Sequence, residues 1–260
     1  MNEQVGGPCA VVIVAAGSGQ RLGHGIPKAR VPLGGEPMLA HAIRGVVKAG
    51  IATQICIAVP QDDAAMVEIC HQLAAESGAG PDMVWNVVDG GTDRSDSVRA
   101  ALAVIDSGVG TVLVHDAARP LTPSGVFDRV VAALRDGAKA VIPALAVADT
   151  IKTVTPAELP ATGAGVEKVS GTPVRHLLRA VQTPQGFELD TLRRAHAYAL
   201  TLDAAAAAQI TDDAMLVEAI GEDVYVVQGS THSLKITTPM DLLLGEAMLQ
   251  GPLRPRWVEG

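Results

Sequence analysis

The side chains best suited to phosphate chemistry lie in a glycine-rich segment near the start of the chain. Residues 15–23 read Ala-Ala-Gly-Ser-Gly-Gln-Arg-Leu-Gly, follow a predicted strand over 10–14, and precede Lys28. Glycines let a backbone approach a ligand closely and direct its N–H groups toward it, as in phosphate-binding loops. In an open α/β sheet such a loop lies at the carboxyl end of a strand, where ligands bind. The segment therefore predicts a phosphate or nucleotide site.

The distribution of charge supports this prediction. The 260 residues carry 20 Lys and Arg against 28 Asp and Glu, a formal net charge of −8. An acidic chain with only two each of Phe, Trp and Tyr is poorly suited to binding DNA or RNA, which requires cationic surfaces and stacking side chains. Between Glu3 and Glu36, however, Arg21, Lys28 and Arg30 occur without any carboxylate. The composition thus argues against nucleic-acid partners and leaves one local anion site.

Two further segments follow predicted strands at the same edge of the sheet. Residues 115–120 read His-Asp-Ala-Ala-Arg-Pro, so Asp116 lies where a carboxylate could hold Mg²⁺ or a ribose hydroxyl, and Arg119 could pair with it. Residues 90–97 form a second glycine-rich turn before a predicted helix. Its polar side chains could either cap that helix or belong to the same site.

The remaining pattern alternates short β-branched runs with segments of helical period. Predicted strands cover 10–14, 54–59, 83–88, 111–114, 140–143, 180–183, 224–227 and 233–237. Predicted helices cover 37–49, 62–76, 94–106, 122–137, 189–199, 212–220 and 240–249. This alternation is typical of a Rossmann-like, mostly parallel α/β sheet with helices on both faces.

The alternation stops between about residues 146 and 172. Strand-like runs over 150–154 and 166–169 flank a stretch rich in Pro, Ala and Gly over 156–165. This pattern predicts a β-hairpin arm that projects from a single domain spanning 1–260. Because an isolated hairpin is marginally stable, we expect another surface to cover it, most simply that of a second copy in a homodimer.

Cysteine usage and hydropathy indicate a cytoplasmic protein. Cys9, Cys56 and Cys70 are odd in number and lack metal-ligand spacing, so we expect reduced thiols. No cationic segment precedes the first apolar run, as a signal peptide would require. No apolar stretch approaches the roughly 20 residues of a membrane span.

Other phosphate-binding motifs fit less well. A Walker A motif is absent because no Gly-Lys-Ser/Thr occurs. The spacing of Gly17, Gly19 and Gly23 resembles a dinucleotide fingerprint, but the strand over 54–59 ends without the acidic residue that would hold the ribose. An NAD-dependent oxidoreductase therefore remains a distant alternative, as does a non-catalytic nucleotide-binding module.

Taken in order, seven segments resemble the 2-C-methyl-D-erythritol 4-phosphate cytidylyltransferase family. They are 15–22 with Pro27-Lys28, Gly90-Gly91 with Arg94 and Asp96-Ser97, 115–120, Asp149-Thr150-Ile151-Lys152, Thr183-Pro184-Gln185, Thr211-Asp212-Asp213, and Leu234-Lys235-Ile236-Thr237. The resemblance implies transfer of CMP from CTP to 2-C-methyl-D-erythritol 4-phosphate with release of pyrophosphate, a step of isoprenoid precursor synthesis. It also implies Mg²⁺ or another divalent cation bound mainly by the CTP phosphates.

The resemblance also implies a role for each matching residue. Arg21 and Lys28 would stabilise the transition state, and Arg175 and Lys235 would position the acceptor phosphate. The cytosine and ribose pocket would be lined by Ala15, Ala16, Gly17, Gly19, Gly91 and Ser97. Asp116 would help to hold the nucleotide and the metal. Further substrate contacts would come from Arg119, Thr150, Thr183 and Thr211. Thr150 and Arg175 would serve the site of the partner in a homodimer built through the arm.

Three features depart from the family pattern or leave alternatives open. Thr92 stands where an acid often follows the paired glycines, with Asp93 one place later. Arg175 is matched by counting back from Thr183, and Arg179 is the alternative. The acceptor could be methylerythritol phosphate or another polyol phosphate such as ribitol 5-phosphate.

Overall fold

The structure, a computed structural model, describes residues 7–19, 22, 25–157 and 165–251. The strands are β1 Cys9–Val14, β2 Pro32–Leu33, β3 Glu36–Pro37, β4 Gln54–Val59, β5 Val84–Asp89, β6 Thr111–Asp116, β7 Ala140–Ala146, β8 Thr153–Pro156, β9 Glu167–Gly171, β10 Arg179–Val181, β11 Gln185–Glu188 and β12 Tyr225–Gln228. The helices are α1 Met38–Ala49, α2 Ala64–Glu76, α3 Arg94–Leu102, α4 Ser124–Arg135, α5 Leu189–Ala199, α6 Ala204–Ala207, α7 Asp213–Ala219 and α8 Pro239–Gln250.

Eight of these strands form one mostly parallel sheet. Strands β5, β4, β1 and β6 lie side by side in that order, and each neighbouring pair is parallel. Strand β11 runs antiparallel between β6 and β7, β10 pairs antiparallel with β7, and β12 pairs parallel with β7. The predicted mostly parallel α/β sheet is confirmed, and β1, β5 and β6 all end at one edge.

Helices cover both faces of this sheet. Successive side chains of a strand point to opposite faces, so the apolar central strands present apolar side chains on both sides. Val11 and Ile13 of β1 pack into one apolar cluster with side chains of α1, α2 and α4. Ala10 and Val12 pack into another with side chains of α3, α5 and α7. The uninterrupted apolar sequence of β1 is therefore explained by burial on both sides. This rigid centre fixes the ends of the strands from which the site is built.

The predicted strand over 233–237 is wrong. This segment has no strand pairing; Ile236, which is fully buried, donates its backbone N–H to the Ala118 carbonyl at 2.8 Å. A buried apolar anchor and isolated hydrogen bonds hold the segment in place of a ladder. Lys235 therefore lies on an irregular segment that crosses beside the end of β6.

The predicted strand over 180–183 begins one residue earlier and ends two residues earlier, as β10. Pairing with β7 stops after Val181 and resumes in β11 at Gly186, with a cis peptide bond between Thr183 and Pro184. Proline has no N–H to donate, so the ladder cannot continue through it.

The arm region contains a separate two-stranded antiparallel sheet made of β8 and β9. Its residues are exposed, apart from the half-buried Gly171 at its end. Residues 158–164 of the predicted connection lie outside the described part of the chain. The role of the hairpin in dimerisation and the single-domain assignment of 1–260 both stay predictions. Among the described helices, none has the length and hydrophobicity needed to cross a bilayer.

Candidate active site

A cavity of about 700 Å³ opens at the edge where β1, β5 and β6 end. Three loops that follow these strands line it, together with Lys28 and the 233–237 segment. Nine of the predicted site residues contribute to this wall: Ala15, Ala16, Gly17, Gly19, Lys28, Gly91, Ser97, Asp116 and Lys235. The sequence prediction that the glycine-rich loops and the aspartate face one site agrees with this arrangement.

The first loop folds back so that its backbone contacts Lys28. The Lys28 N–H donates to the Gly17 carbonyl at 3.0 Å. Gly19 has φ +72°, and a Cβ there would lie 3.0 Å from the backbone N of Lys28. Glycine is therefore required at this position, both for its left-handed conformation and for the close approach of the two backbone segments. Arg21, predicted to be catalytic, lies outside the described residues.

The second glycine-rich turn is both a helix cap and a cavity wall. Asp93 caps α3, with its Oδ1 accepting the N–H of Asp96 at 2.8 Å. Ser97 Oγ accepts the Gly91 N–H at 3.2 Å and donates to the Asp93 carbonyl at 2.9 Å. The helix-cap and site interpretations that the sequence left open are thus compatible, because the cap fixes the turn that lines the cavity.

Asp116, the last residue of β6, is the only carboxylate in the cavity wall besides Asp93 among the described residues. Its Oδ2 accepts from Lys235 Nζ at 2.7 Å and its Oδ1 from Arg94 Nε at 3.2 Å. Burial alone would raise its pKa, but Arg94 and Lys235 hold the pKa of this carboxyl well below its usual range. Asp116 is therefore ionised at neutral pH.

The predicted pairing of Arg119 with Asp116 is wrong, since Arg94 and Lys235 are the hydrogen-bonded partners. The Arg119 guanidinium instead donates to the carbonyls of Ser233 at 2.6 Å and Val181 at 3.2 Å. Arg119 thus ties the segment that carries Lys235 to the end of β10. Its predicted contact with substrate stays a prediction.

Arg94 belongs to a family-like segment of the sequence but has no predicted role. In the structure Arg94 lines the cavity and bridges two carboxylates, Asp116 and Asp213. The position of Arg94 in the 90–97 turn was a usable signal, because that turn faces the ligand edge. Asp213 also belongs to a family-like segment, but its pairing with Arg94 left no signal, since 119 residues separate the two and only the folded chain brings them together.

Four other predicted residues lie outside the cavity wall. Thr183 is buried behind it and joins two hydrogen bonds, with His115 Nδ1 at 3.0 Å and with the N–H of Asp116 at 3.1 Å. Thr150, Arg175 and Thr211 are exposed. Arg175 donates to the Ala148 carbonyl at 2.8 Å, near the base of the hairpin. Within one chain, these residues do not complete the site.

The residues present fit a divalent cation carried by a nucleotide better than a protein-held metal centre. Within the described residues, no three His, Cys, Asp or Glu side chains converge as ligands. Asp116 offers one ionised, hard oxygen donor at the cavity wall. Mg²⁺ is commonly held by one or two carboxylates together with substrate phosphates, and one carboxylate suffices for that arrangement.

Comparison with known proteins gives a consistent result across the chain. A family model described as 2-C-methyl-D-erythritol 4-phosphate cytidylyltransferase matches residues 9–251. Curated proteins with that name include one from Rhodococcus opacus, 48% identical over 244 residues and covering 94% of this chain and 96% of the relative. The corresponding protein of Streptomyces avermitilis is 45% identical over 247 residues, covering 94% and 92% of the two chains.

Solved structures agree with the sequence matches. A 2-C-methyl-D-erythritol 4-phosphate cytidylyltransferase from Thermus thermophilus superposes with a TM-score of 0.69 at 31% identity, covering 94% of this chain and 100% of that one. A 4-diphosphocytidyl-2C-methyl-D-erythritol synthase from Anaerococcus prevotii superposes with a TM-score of 0.77 at 27% identity, covering 94% and 99%. The matched regions include all three loops of the cavity.

Proposed function

We infer the function from the fact that this chain belongs to the 2-C-methyl-D-erythritol 4-phosphate cytidylyltransferase family. The chain is a nucleotidyltransferase that transfers CMP from CTP to 2-C-methyl-D-erythritol 4-phosphate and releases pyrophosphate, in the synthesis of isoprenoid precursors. The main structural support for this proposal is that Lys28, Lys235 and Asp116 converge on one glycine-lined cavity. Strand β4 ends without a ribose-binding acid, and family membership leaves no basis for the NAD-dependent alternative.

The chemistry calls for the kinds of groups that this cavity presents. A phosphate oxygen of the acceptor attacks the α-phosphorus of CTP, a new P–O bond forms, and the bond to the β-phosphate breaks as pyrophosphate leaves. The attacking oxygen is already an anion, so no strong general base is needed. The site must instead offset repulsion between anions and stabilise the charge that develops on the phosphoryl oxygens. Lysine ammonium groups and backbone N–H groups do both.

Each part of the wall then has a task. The backbone of the 15–19 loop and the turn that bears Gly91 and Ser97 bind the nucleotide. Lys28 faces the same space as that loop and stabilises charge on the α-phosphate, together with Arg21. Lys235 lines the same cavity and positions the acceptor phosphate.

The residues around Asp116 suit Mg²⁺ as the cofactor. Its carboxylate would hold the cation jointly with the CTP phosphates, and the cation would supply charge neutralisation on those phosphates. Because Lys235 already contacts Oδ2 of Asp116, a bound cation would compete with the Lys235 ammonium group for that oxygen.

We also propose that the enzyme acts as a homodimer. The hairpin exposes Val154 and Val169, which pair across its two strands with 44% and 52% of their surface accessible. Thr150 and Arg175 lie at this arm and outside the cavity of their own chain. A second copy that covers the hairpin would both bury the valines and bring these two polar residues to a cavity. The three unpaired cysteines favour a reducing compartment such as the cytoplasm.

Pyrophosphate release tests the proposal directly. The purified chain is incubated with Mg²⁺ and CTP together with either methylerythritol phosphate or ribitol 5-phosphate, and ATP, GTP and UTP replace CTP in parallel. We expect release only with CTP, and with methylerythritol phosphate as the preferred acceptor. Preference for ribitol 5-phosphate would assign a different acceptor to the same chemistry. Absence of release with every pair would contradict the proposed function.

A further inference from the structure

A chain of buried polar contacts continues behind the cavity wall, beyond the residues that face it. Asp213, the first residue of α7, is fully buried and accepts from Arg94 Nη1 at 2.6 Å. Its other oxygen, Oδ1, contacts His196 Nε2 of α5 at 2.9 Å. His196 is itself only 2% exposed. Neither Asp213 nor His196 lines the cavity, so neither can touch a ligand there.

A buried carboxylate in this place contributes little to stability by itself. Removing an ion from water costs several kcal/mol, and even a well-paired buried ion often does no better than apolar packing. What a fully hydrogen-bonded buried carboxylate does supply is a fixed position for its partners. Burial would raise the pKa of Asp213, but Arg94 and His196 hold that pKa below its ordinary value. Asp213 is thus ionised and only accepts hydrogen bonds, so His196 Nε2 is the donor in its contact.

Arg94 links the position of Asp213 to that of Asp116. Arg94 uses Nη1 for Asp213 and Nε for Asp116, two donors of one rigid planar guanidinium. Once Asp213 fixes one end of the group, the location of Nε is set, and with it one oxygen of Asp116. Lys235 holds the other oxygen.

The charges are balanced along the same path. Lys235, Asp116, Arg94 and Asp213 alternate in sign, so the four side chains sum to zero. Without the charge of Asp213, two cations would share the single carboxylate of Asp116. That carboxylate would then attract a cation-bearing nucleotide less strongly, and the Arg94 guanidinium would be free to turn into the cavity.

We propose that Asp213 and His196 are positioning residues that act through Arg94 to hold Asp116 in the orientation and charge state needed to bind the nucleotide. This inference rests on the proposed function, because it assigns Asp116 to the CTP side of the reaction.

The test compares variants that remove or keep the charge and the donor. Asp213→Asn removes the charge, and Asp213→Glu keeps it. His196→Leu removes the donor to Asp213, and His196→Gln keeps an N–H donor. Asp203→Asn, on the exposed N-cap of α6, is the matched control, because asparagine caps as well as aspartate. Steady-state kinetics with each substrate, calorimetric binding of CTP with Mg²⁺ in the absence of acceptor, and thermal unfolding are measured for each.

We expect Asp213→Asn to lower kcat/KM for CTP and the affinity for CTP by about 10- to 100-fold, the range typical of groups that orient a ligand-binding side chain. The KM for the acceptor should stay within about twofold. Asp213→Glu should recover part of the loss, and His196→Gln should retain more activity than His196→Leu. If Asp213→Asn fails to fold, the two His196 variants carry the comparison.

Two results would overturn the inference while leaving the proposed function intact. One is unchanged CTP binding in folded Asp213→Asn, or in both His196 variants. The other is a parallel loss of affinity for both substrates that follows the loss of thermal stability, as a structural role alone would give. An inactive wild-type enzyme that still binds CTP would instead contradict the proposed function.

Discussion

At the residue scale, Lys28 is the cation whose place in the fold is most closely defined. Its backbone is held against the first loop, and its side chain lines the cavity. We predict that Lys28→Ala lowers kcat by at least about 100-fold, because it removes a charge that stabilises the transition state. The thermal midpoint should change little. Kinetics with CTP and the acceptor measure this effect.

Lys48→Ala is the matched control for this prediction, since Lys48 is exposed in the last turn of α1 and lies outside the cavity wall. Its kcat should equal that of the wild type. If Lys28→Ala also kept a wild-type kcat, Lys28 would have no part in the chemical step.

His115 makes stability depend on pH. Burial lowers its pKa from 6.5 to about 4, with Asp116 raising it and Arg119 lowering it to smaller extents. The folded chain therefore keeps His115 neutral at pH values where the unfolded chain protonates it. The contribution to stability is complete above pH 6.5 and is lost as pH falls toward about 4, by about 3 kcal/mol in total.

We predict that His115→Gln flattens this part of the pH dependence. Urea unfolding of both proteins at a series of pH values, from neutral down to the pKa of about 4 that His115 has in the folded chain, gives the free energy of unfolding at each pH. His41, whose pKa burial also lowers, contributes equally to both proteins and cancels in the comparison. Identical slopes for the two proteins would show that His115 does not titrate as its burial requires.

The sequence was sufficient to predict the residues that follow strands, and insufficient for those that meet across the fold. Asp116 and Gly91 were predictable because the carboxyl ends of parallel strands share an edge. The hydrogen-bond partners of the Asp116 carboxylate were not predictable. Arg119 is three residues away and was the natural candidate, yet Arg94 and Lys235 occupy its two oxygens. Contacts between distant segments depend on how loops pack, and single-sequence periodicity contains no information on that.

At the element scale, the turn after β5 depends on a close approach of backbones. A Cβ at Gly90 would lie 2.6 Å from the Ala16 Cβ, 2.8 Å from Ser97 Oγ and 3.0 Å from the Val59 carbonyl oxygen. We predict that Gly90→Ala destabilises the fold by about 1–3 kcal/mol, the cost typical of overpacking. Because Ala16 and Ser97 line the cavity, the affinity for CTP should fall as well.

Denaturant unfolding and calorimetric titration with CTP measure these two effects. Gly80→Ala is the control, because Gly80 is exposed and a Cβ there would meet nothing within 4 Å. Equal stability and equal CTP affinity for Gly90→Ala and Gly80→Ala would contradict the tight contact between the two loops.

Elements with strong periodicity were predictable, and those shaped by tertiary contacts were not. Helix α1 ends where the sequence places Gly50, which adopts φ +65° as a left-handed cap. The segment over 233–237 has the β-branched and apolar composition of a strand but pairs with none. Its buried Ile236 packs with side chains such as Leu33 and Leu121 in a third apolar cluster, so tertiary packing prevailed over strand propensity.

At the scale of the whole molecule, the described cavity of one chain contains some of the predicted site residues and leaves others outside it. Arg175 and Thr150 are outside it, although the family resemblance predicts substrate contacts for both. A mostly parallel sheet was predictable from the alternation of strands and helices, whereas the order of its strands and the relation between two copies leave no periodic signal in one sequence. The arm, with its exposed valines, is the element that could supply the missing side chains from a neighbouring chain.

Mixing two inactive variants tests whether Arg175 acts across a dimer. We expect Lys28→Ala and Arg175→Ala each to be strongly impaired alone. In a mixed dimer, the Arg175→Ala chain keeps its own Lys28 and receives Arg175 from its partner, so one of the two cavities is complete. After unfolding and refolding an equal mixture, half of the dimers are mixed, and the activity should return to about a quarter of the wild-type value.

If Arg175 serves its own chain, every cavity stays defective and mixing restores nothing. Sedimentation of the mixture confirms that dimers form, so a lack of recovery with dimers present would assign Arg175 to its own chain.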